Sequence, residues 1–441
     1  MVYLPHWPIP STLGNKKIDY ETVFERANLV LKKLNNPHQK LPPVIHVAGT
    51  NGKGSTASLI AKIFECNGYK AHLYTSPHLL NCNERIILNG EKISDNQLFE
   101  IMEETRICSD GVDLTFMEAF TIGAFLAFAK NPADVVVVEC GMGARIDITN
   151  IIEKKLASVI TSISLDHTEY LGDSLEKIAF EKAFIVRQNT PLIVARQMES
   201  VNKIIKIMAD DQEALNYFYG SDFDIEIDKV SSKFDFFWNN ELLLPSLSSP
   251  ALIGEHQYYN FASAIACCMS ISDKFIFNYD GIDKAISEVR WPSRLEKIEN
   301  NLTKFLKNSN SEIWIDGAHN EGGAQTIVDW LLAKNDQKVN FVICGFSRNK
   351  CKNSFLAKFK NIAKIIAIRV NGEAYPEQSE KIYEIAKSED LDVINGFELI
   401  EALKIVEKIS KSKPVRVVIC GSLHLARDVE EVDKIISLND H

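Results

Sequence analysis

The sequence of 441 residues lacks a long apolar run, an excess of positive charge and any paired cysteine motif. No segment approaches the roughly 20 apolar residues that a membrane-spanning helix needs. Pro5, Pro8 and Pro10 interrupt the N-terminus, where a signal peptide would need an apolar stretch. These absences predict a protein without a membrane partner.

The nine cysteines are scattered and include no Cys-x-x-Cys pair and no spacing typical of zinc ligands. We expect reduced thiols and therefore a cytoplasmic protein. Lysine and arginine number 49 against 59 aspartate and glutamate residues, a net charge of -10. This charge argues against nucleic acid as the main partner, although it is compatible with a local cationic site for phosphates.

A phosphate-binding turn is predicted between Val44 and Thr56, where the sequence reads Val-Ile-His-Val-Ala-Gly-Thr-Asn-Gly-Lys-Gly-Ser-Thr. The apolar run predicts a buried strand, and the glycines predict a turn that leads into a helix over residues 55–67. Backbone N–H groups at such a turn favour anionic oxygens. Lys53 adds a charge for the outer phosphates, and Ser55 or Thr56 offers a hydroxyl of the kind that binds Mg²⁺. The nucleotide-binding residues predicted in this turn are Gly49, Asn51, Gly52, Lys53, Gly54, Ser55 and Thr56.

The spacing of this turn differs from that of the standard P-loop. Only two residues separate the first glycine from the Gly-Lys pair, where the P-loop has four, and a third glycine follows the lysine. A glycine-rich turn of this kind would also suit a tight strand-to-helix connection in any α/β protein. The glycine-rich turn alone therefore leaves both interpretations open.

Two later strands are predicted to carry candidate metal ligands at their ends. Four consecutive valines within residues 133–140 are typical of a parallel strand covered on both faces, and Glu139 follows them directly. Ligands collect at the carboxyl edge of doubly wound sheets, so we interpret Glu139 as a Walker-B-type metal ligand rather than a solvated strand-end glutamate. The strand over residues 157–163 precedes His167, a candidate second ligand at the same edge. Lys182, in a predicted helix over residues 174–184, would from its position alone be a surface lysine.

Alternating strands and helices predict an α/β protein of two domains. The predicted boundary lies in residues 290–294, which contain Trp291-Pro292, and divides the chain into domains 1–295 and 296–441. The N-terminal domain is predicted to be a P-loop-type, doubly wound, mainly parallel sheet, and the C-terminal domain a smaller, Rossmann-like α/β unit. Residues 200–250 are expected to be polar and irregular apart from two strands. The predicted helices are 20–34, 55–67, 115–130, 174–184, 254–271, 323–333, 379–388 and 397–410, and the predicted strands are 44–48, 70–75, 85–88, 133–140, 157–163, 222–227, 233–238, 312–315, 339–344, 362–369 and 415–421.

Further motifs extend along nearly the whole chain. They are Thr-Ser-Pro-His-Leu at 75–79, Glu-Cys-Gly-Met-Gly-Ala-Arg-Ile-Asp-Ile-Thr-Asn at 139–150, Leu-Asp-His-Thr-Glu-Tyr-Leu-Gly at 165–172, Glu-Lys-Ala at 181–183, His-Gln-x-x-Asn at 256–260, Trp-Pro-Ser-Arg-Leu-Glu at 291–296, Asp-Gly-Ala-His-Asn at 316–320 and Gly-Ser-Leu at 421–423. The Gly-Thr-Asn-Gly-Lys-Gly-Ser string resembles the ATP-binding loop of the Mur ligase superfamily. Together the motifs resemble the folylpolyglutamate synthase/dihydrofolate synthase family of that superfamily.

The resemblance implies an ATP-dependent ligase that joins L-glutamate to dihydropteroate and to the γ-carboxylate of reduced folates through an acyl phosphate. It implies ATP and two Mg²⁺ ions as cofactors, small molecules as partners and a monomeric enzyme. Residues 1–295 would form the ATP- and folate-binding domain, and residues 296–441 the glutamate-ligase domain.

The resemblance also implies roles for individual residues. Ser76, Glu139 and His167 would hold Mg²⁺, and Lys182 would be carbamylated, with its new carboxylate shared with the metal site. The implied catalytic residues are Lys53, Glu139, His167 and Lys182; the implied ATP ligands outside the turn are Asn260, Arg294 and Asp316; the implied glutamate site is His319 and Ser422; and the implied pterin pocket is Thr115, Phe116, Met117, Glu118, Ile146, Asp147 and Ile148.

Some residues depart from the family pattern, and some alternatives stay open. The family often has Gly-Gly-Arg-Leu-Asp-Ala where this chain has Gly-Ala-Arg-Ile-Asp-Ile, and phenylalanine at the position of Met117, so the shape of the pterin pocket is expected to differ. A single-function synthase is one alternative. A ligase of UDP-linked precursors is another, but 43 residues before the turn are too few for its additional domain. A GTPase switch would need Asn-Lys-x-Asp, and neither Asn-Lys pair is followed by that aspartate.

Overall fold

The computed structural model describes residues 22–334 and 336–439, which group into two compact units. The first unit contains residues 22–163, 168–251 and 258–289, and the second contains Ser164–His167, Leu252–Gln257 and residues 290–439. The beginning of the helix predicted at residue 20 lies outside the described residues. The functional division at residue 295 stays a prediction.

The first unit is built on an eight-stranded sheet. Its strands are β1 (Val44–Ala48), β2 (Ala71–Tyr74), β3 (Ile86–Leu88), β4 (Glu91–Lys92), β5 (Val135–Glu139), β6 (Ala157–Ile160), β7 (Pro191–Val194) and β8 (Leu215–Phe218). They lie in the order β4-β3-β2-β5-β1-β6-β7-β8, and the six strands from β2 to β8 in that order run parallel. The carboxyl ends of β2, β5, β1 and β6 therefore form one continuous edge of the sheet.

Helices cover both faces of this sheet. They are α1 (Val23–Lys33), α2 (Lys53–Cys66), α3 (Asp95–Cys108), α4 (Phe116–Lys130), α5 (Thr168–Leu171), α6 (Leu175–Ala183), α7 (Glu199–Asp211), α8 (Glu255–Met269) and α9 (Tyr279–Glu288). One apolar cluster joins α1, α3 and α4 to β2 and β5, and another joins α6 and α7 to β6 and β7. The four valines of β5 are fully buried, as expected for a strand covered on both faces.

A small antiparallel sheet adds β9 (Phe223–Ile227), β10 (Phe234–Trp238) and β11 (Glu241–Leu247). Asn239 and Asn240 both have positive φ, as a tight turn between β10 and β11 requires. The expectation that residues 200–250 are otherwise irregular was wrong. Helix α7 occupies residues 199–211 and buries Val201, Ile205 and Ala209, which lie four residues apart on one face of the helix.

The second unit contains a six-stranded sheet in the order β12-β13-β17-β14-β15-β16, in which β12 is antiparallel and the other strands are parallel. These strands are β12 (Glu296–Ile298), β13 (Glu312–Ile315), β14 (Val339–Cys344), β15 (Lys364–Ile368), β16 (Val393–Phe397) and β17 (Val415–Cys420). The helices are α10 (Glu321–Ala333), α11 (Lys352–Ala357), α12 (Ser379–Ser388), α13 (Leu399–Ser410) and α14 (Leu425–Asn439). One core cluster contains α10, α11 and α12, and the other contains α13 and α14. The predicted fold class, a doubly wound N-terminal sheet and a smaller α/β C-terminal unit, is confirmed.

Short 3-10 helices occupy several connections. They are Pro37–Gln39, Cys82–Arg85, Ile148–Ile151 and Asn301–Phe305. Arg85 was predicted to begin a strand but ends one of these 3-10 helices, and β3 begins at the next residue. Within residues 22–334 and 336–439, no helix combines the length and apolar character that a membrane crossing requires.

Candidate active site

The glycine-rich turn connects β1 to α2 and is fixed by its own backbone. The N–H groups of Thr50 and Asn51 donate to the carbonyl oxygen of Ser162, at 2.9 and 3.1 Å. Gly52 is the N-cap of α2 and has a φ of 82°, a conformation that residues with a side chain rarely adopt. A Cβ atom there would also clash with Oδ1 of Asn260. The structure therefore places Asn260, predicted to bind nucleotide, directly against the turn.

The two hydroxyls of the turn have different surroundings. Ser55 Oγ is buried, and among the described residues no group forms a hydrogen bond with it. Thr56 Oγ1 is also buried but lies 3.5 Å from the carbonyl oxygen of Asn260. An unsatisfied buried hydroxyl costs roughly 1–3 kcal/mol, so Ser55 is the better suited of the two to accept a ligand such as Mg²⁺.

Lys53 and Glu139 meet beside the turn. Lys53 Nζ donates to the carbonyl oxygen of Thr50 at 3.1 Å and lies 3.9 Å from Glu139 Oε1. Glu139 is 4% exposed, and its Oε2 accepts a hydrogen bond of 3.4 Å from the Ser76 N–H. Hydroxyl and carboxylate oxygens are the ligands that Mg²⁺ prefers, and Ser55, Ser76 and Glu139 carry such oxygens.

Lys182 also belongs to this edge of the first unit. Its side chain is 4% exposed, and Nζ donates a 2.6 Å hydrogen bond to the carbonyl oxygen of Gly49 in the glycine-rich turn. The expectation of a surface lysine, based on helix position alone, was therefore wrong. Helix α6 directs this side chain inward, toward the turn.

Among the described residues, no group of three or more His, Cys, Asp or Glu side chains is arranged to hold a metal ion. The predicted set contains two such residues, Glu139 and His167. Ser76 and Glu139 lie in the first unit, whereas His167 is grouped with the second. The metal assignment therefore stays a prediction, supported in the first unit by the oxygen atoms described above.

Two predicted pterin-pocket residues form the N-terminal cap of α4. Thr115 Oγ1 accepts from the Glu118 N–H at 3.3 Å, and Glu118 Oε2 accepts from the Thr115 N–H at 2.8 Å. Glu118 also accepts a 2.6 Å hydrogen bond from Arg26. This capping box fixes where α4 begins and how its first turn is directed. Ile148 is buried in the adjoining apolar cluster, and Ile146 is half-buried.

Two further predicted pocket residues, Met117 and Asp147, lie beside Gly141. A Cβ atom on Gly141 would lie 3.2 Å from Asp147 Oδ2, 3.5 Å from Met117 Cε and 3.6 Å from Ser76 Oγ. Asp147 is held by the N–H groups of Met142 and Thr149, both at 2.9 Å. The predicted pterin segments therefore meet a predicted metal ligand, Ser76, around one glycine.

Arg85 is a member of this cluster to which sequence reasoning assigned no role. It is 5% exposed and donates from Nε to His78 Nδ1 at 2.8 Å. Its guanidinium lies 5.4 Å from the ring centroid of Phe116, and Nη1 lies 3.1 Å from Met117 Sδ. A buried cation packed on aromatic rings is stabilised by cation–π attraction. The feature of the sequence that could have indicated a role for Arg85 is the Glu-Arg pair immediately before a short strand.

Thr149, which donates to Asp147, also contacts the buried side chain of His46. His46 Nε2 lies 2.8 Å from Thr149 Oγ1 and 3.0 Å from Cys140 Sγ. Burial, with the nearby positive charges of Lys155 and Arg187, lowers the pKa of His46 well below its ordinary value of 6.5. The imidazole is therefore held neutral at physiological pH.

In the second unit, the loop after β13 contacts residues 293–295. Asp316 accepts hydrogen bonds from the N–H groups of Leu295 at 2.8 Å and Ala318 at 2.7 Å. Burial raises the pKa of the Asp316 carboxyl, although the positive charge of Arg294 opposes this shift. Ser293 and Leu295, which flank Arg294, have φ values of 56° and 45°. Positive φ is uncommon in residues other than glycine.

A second cluster in this unit is centred on Asp166. Its Oδ2 accepts hydrogen bonds from His319 Nε2 at 3.1 Å and Asn320 Nδ2 at 3.3 Å. Its Oδ1 accepts from Lys350 Nζ at 2.7 Å and from the His167 N–H at 2.9 Å. Burial alone would raise the pKa of Asp166, but the hydrogen bond from His319 and the neighbouring positive charges hold it far below its ordinary value. This carboxylate is therefore ionised and fully hydrogen-bonded.

The two residues predicted to receive glutamate lie on neighbouring loops. His319 follows β13, and its Nδ1 lies 2.9 Å from the carbonyl oxygen of Gly317. Ser422 follows β17 and is buried, and its Oγ donates to Glu373 Oε2 at 3.3 Å. The Gly421 N–H donates to the carbonyl oxygen of Ala318 at 2.7 Å and joins the two loops. Both loops stand at the carboxyl ends of adjacent parallel strands.

Comparison with known proteins adds family membership to this geometry. The family profile described as "Mur ligase middle domain" matches residues 47–268, half of the chain, and "Dihydrofolate synthetase, C-terminal domain" matches residues 298–432. The "Dihydrofolate synthase/folylpolyglutamate synthase" of Haemophilus influenzae is 30% identical over 360 residues, which cover 78% of this chain and 77% of that protein. The chain belongs to the folylpolyglutamate synthase/dihydrofolate synthase family.

Other members of the family match over almost their full length. The "Dihydrofolate synthase/folylpolyglutamate synthase" of Bacillus subtilis is 27% identical over 436 residues, which cover 95% of this chain and 96% of that protein. The solved structure of Escherichia coli FolC "in complex with DHPP and ADP" superimposes with a TM-score of 0.83 at 25% identity and covers 100% of this chain and 96% of that one. The resemblance predicted from the motifs is confirmed.

Proposed function

We propose that this protein is an ATP-dependent ligase that joins L-glutamate to dihydropteroate and to the γ-carboxylate of reduced folates. The observation that carries the proposal is the convergence around Gly141. There Met117 and Asp147, from the predicted pterin segments, approach Ser76, whose N–H donates to Glu139 beside the phosphate-binding turn. A carboxylate acceptor and the phosphates of ATP would be bound side by side in such a site.

The chemistry follows from the weakness of oxide as a leaving group. A carboxylate oxygen attacks the γ-phosphorus of ATP, the bond to the β–γ bridging oxygen breaks, and ADP leaves. The acyl phosphate that forms is attacked at its carbonyl carbon by the uncharged amine of glutamate. Phosphate leaves with one oxygen of the original carboxylate, and the nitrogen loses a proton as the amide forms.

Within the first unit, the proposed work of the protein is positioning and charge neutralisation. The N–H groups of the glycine-rich turn and Lys53 hold the phosphates, and Asn260 borders the turn. Ser55, Ser76 and Glu139 would hold Mg²⁺ in this unit, and the resemblance alone adds His167 to the proposed ligands. The ions, of which the resemblance implies two, neutralise phosphate charge when bound.

In the second unit, we propose that Arg294 and Asp316 bind ATP and that His319 and Ser422 bind glutamate. The contacts of the Asp316 loop with residues 293–295 support a common role for the first pair. The junction of the loops after β13 and β17 supports a common role for the second pair. Each assignment predicts that substitution raises the KM of its own substrate more than that of the other.

We further propose that Lys182 is carbamylated. Its amine is buried and bonded to the carbonyl oxygen of Gly49, so a carboxylate formed there would lie beside the glycine-rich turn. In the modification, the uncharged amine attacks carbon dioxide and loses a proton. Mass spectrometry of the intact protein in bicarbonate should show the addition of one carbon dioxide, and the Lys182→Met variant should not show it.

We propose a monomer that acts in the cytoplasm. The nine cysteines are free thiols, which agrees with a reducing compartment. Light scattering of the purified protein tests the oligomeric state, and fractionation of the source cells tests the compartment.

The function is tested by assaying purified protein with ATP, Mg²⁺ and glutamate in the presence of dihydropteroate, dihydrofolate or tetrahydrofolate. We expect ADP release to depend on both the pterin acid and glutamate, with one amide formed per ADP. Product from dihydropteroate and from a reduced folate establishes both activities. Product from one class of acid alone reduces the protein to a single-function synthase, and ADP release independent of every acid contradicts the proposal.

A further inference from the structure

The position of Lys182 depends on the end of helix α6, because Lys182 lies in the last turn of that helix. Its buried Nζ donates to the carbonyl oxygen of Gly49 at 2.6 Å, in the glycine-rich turn. Helix α6 has only nine residues, and helices of this length are marginal in water unless neighbouring groups stabilise them. The groups that hold the end of α6 therefore also determine whether Lys182 reaches the turn.

The end of α6 is held by side chains from outside the helix. The last carbonyl groups of a helix have no partner within it and need donors from elsewhere. Just after α6, the carbonyl oxygen of Phe184 accepts from Asn150 Nδ2 at 3.0 Å and from Arg187 Nη1 at 2.8 Å. The carbonyl oxygen of Ile185 accepts from Lys155 Nζ at 2.8 Å.

Asn150 connects these donors to one another. Its Oδ1 accepts from Lys155 Nζ and from Arg187 Nη2, both at 2.8 Å, and its carbonyl oxygen accepts from Arg187 Nη2 at 3.1 Å. Its N–H donates to the carbonyl oxygen of Asp147 at 2.9 Å. One side chain thus joins the end of α6, two basic residues and the 3-10 helix that follows Asp147.

A second contact joins the same segment to α6, one residue before Lys182. The N–H of Arg145 donates to the carbonyl oxygen of Glu181 at 3.2 Å, and its Nε lies 3.0 Å from both carboxylate oxygens of Glu181. The Arg145 side chain is 47% exposed, and ion pairs at such exposure contribute little to stability. Asn150 is therefore the more important of the two contacts.

From this arrangement we infer that Asn150 is a positioning residue, which holds the end of α6 so that Lys182 reaches the glycine-rich turn. The inference gives a role to the last residue of the motif at 139–150, to which the sequence assigned none. Its consequence for turnover rests on the proposed ligase function, whereas its consequence for the position of Lys182 can be measured without substrates.

The principal variant is Asn150→Asp, which keeps the size of the side chain and the acceptor for Lys155 and Arg187 but removes the donor to Phe184. Asn150→Ala removes the whole contact. Asn131→Asp is the matched control, because Asn131 Nδ2 donates to the carbonyl oxygen of Ala127 at 2.8 Å and so caps the end of a different helix, α4. Circular dichroism would verify that each variant is folded.

The position of Lys182 is measured by brief acetylation of the intact protein with acetic anhydride, in buffer free of carbon dioxide so that the amine is unmodified. Peptide mass spectrometry gives the labelling of Lys182 relative to Lys177, whose side chain is 63% exposed on the same helix. We expect this ratio to rise roughly 10-fold in both Asn150 variants, the scale for losing a buried hydrogen bond, and to stay unchanged in Asn131→Asp. An unchanged ratio in both Asn150 variants, or an equal rise in the control, would overturn the inference.

Steady-state kinetics tests the consequence for turnover. Asn150→Asp should lower kcat roughly 10- to 100-fold, the scale for a small misplacement of a catalytic group, with little change in the KM of ATP or dihydropteroate. Asn131→Asp should match the unaltered protein. Greater labelling of Lys182 with an unaltered kcat would refute the role in turnover. Absence of ligase activity in the unaltered protein would instead refute the proposed function, and the labelling would still test the position of Lys182.

Discussion

The hydroxyl of Ser55 allows a prediction in which stability and activity change in opposite directions. Ser55 Oγ is buried in the first turn of α2 without a hydrogen-bond partner among the described residues. Leaving such a group unsatisfied costs roughly 1–3 kcal/mol, and alanine is a better helix former than serine. Ser55→Ala should therefore raise the free energy of unfolding of the ligand-free protein by about 1–3 kcal/mol. If Ser55 binds Mg²⁺, the same change should raise the Mg²⁺ concentration needed for half-maximal activity by roughly 10- to 100-fold.

The assay combines urea unfolding without ligands and a Mg²⁺ titration of ligase activity at saturating ATP. Ser58→Ala is the matched control, because Ser58 lies on the same helix and its Oγ is satisfied by the Ser55 carbonyl oxygen at 3.0 Å. The control should change stability by no more than about 1 kcal/mol and leave the Mg²⁺ dependence unaltered. A destabilised Ser55→Ala variant with a normal Mg²⁺ titration would show that the hydroxyl is structural and refute the reasoning.

The remaining predictions concern charge and protonation. Lys53→Met and Glu139→Gln should each lower kcat by more than roughly 100-fold in folded protein, because both groups act on charge that develops at the phosphates; near-normal turnover in either would remove it from the site. His46 stays neutral when folded, whereas its unfolded counterpart gains a proton below about pH 6.5, so stability should fall as pH decreases through that value. His46→Gln should flatten this pH dependence in urea unfolding, and an unchanged slope would mean that His46 titrates normally.

Local patterns in the sequence predicted the parts of the site that depend on the nearby chain. The apolar run before Gly49 predicted a strand, and the glycines that follow predicted a turn leading into a helix, because each of these depends on the nearby chain. The valine run before Glu139 indicated a buried parallel strand and so the edge on which its side chain lies. The second unit was anticipated for the same reason, through alternating apolar strands and helices.

Features that depend on distant contacts were not predictable in this way. Lys182 lies at the end of a helix that resembles any surface helix, and its burial follows from a hydrogen bond to a carbonyl 133 positions away. Asp166 and Lys350 are 184 positions apart, so neither signalled the other. Helix α7 was not predicted because its three buried residues are separated by polar and charged residues, which weakens the apolar pattern of the segment.

The most direct test of the central claim follows the oxygen atoms of the acceptor carboxylate. Dihydropteroate labelled with oxygen-18 in its carboxylate would be incubated with the protein, ATP, Mg²⁺ and glutamate, and the phosphate released would be analysed by mass spectrometry. An acyl phosphate requires one labelled oxygen to leave in each phosphate and the other to remain in the amide. Amide formation with unlabelled phosphate would contradict phosphoryl transfer to the carboxylate, and with it the proposed mechanism.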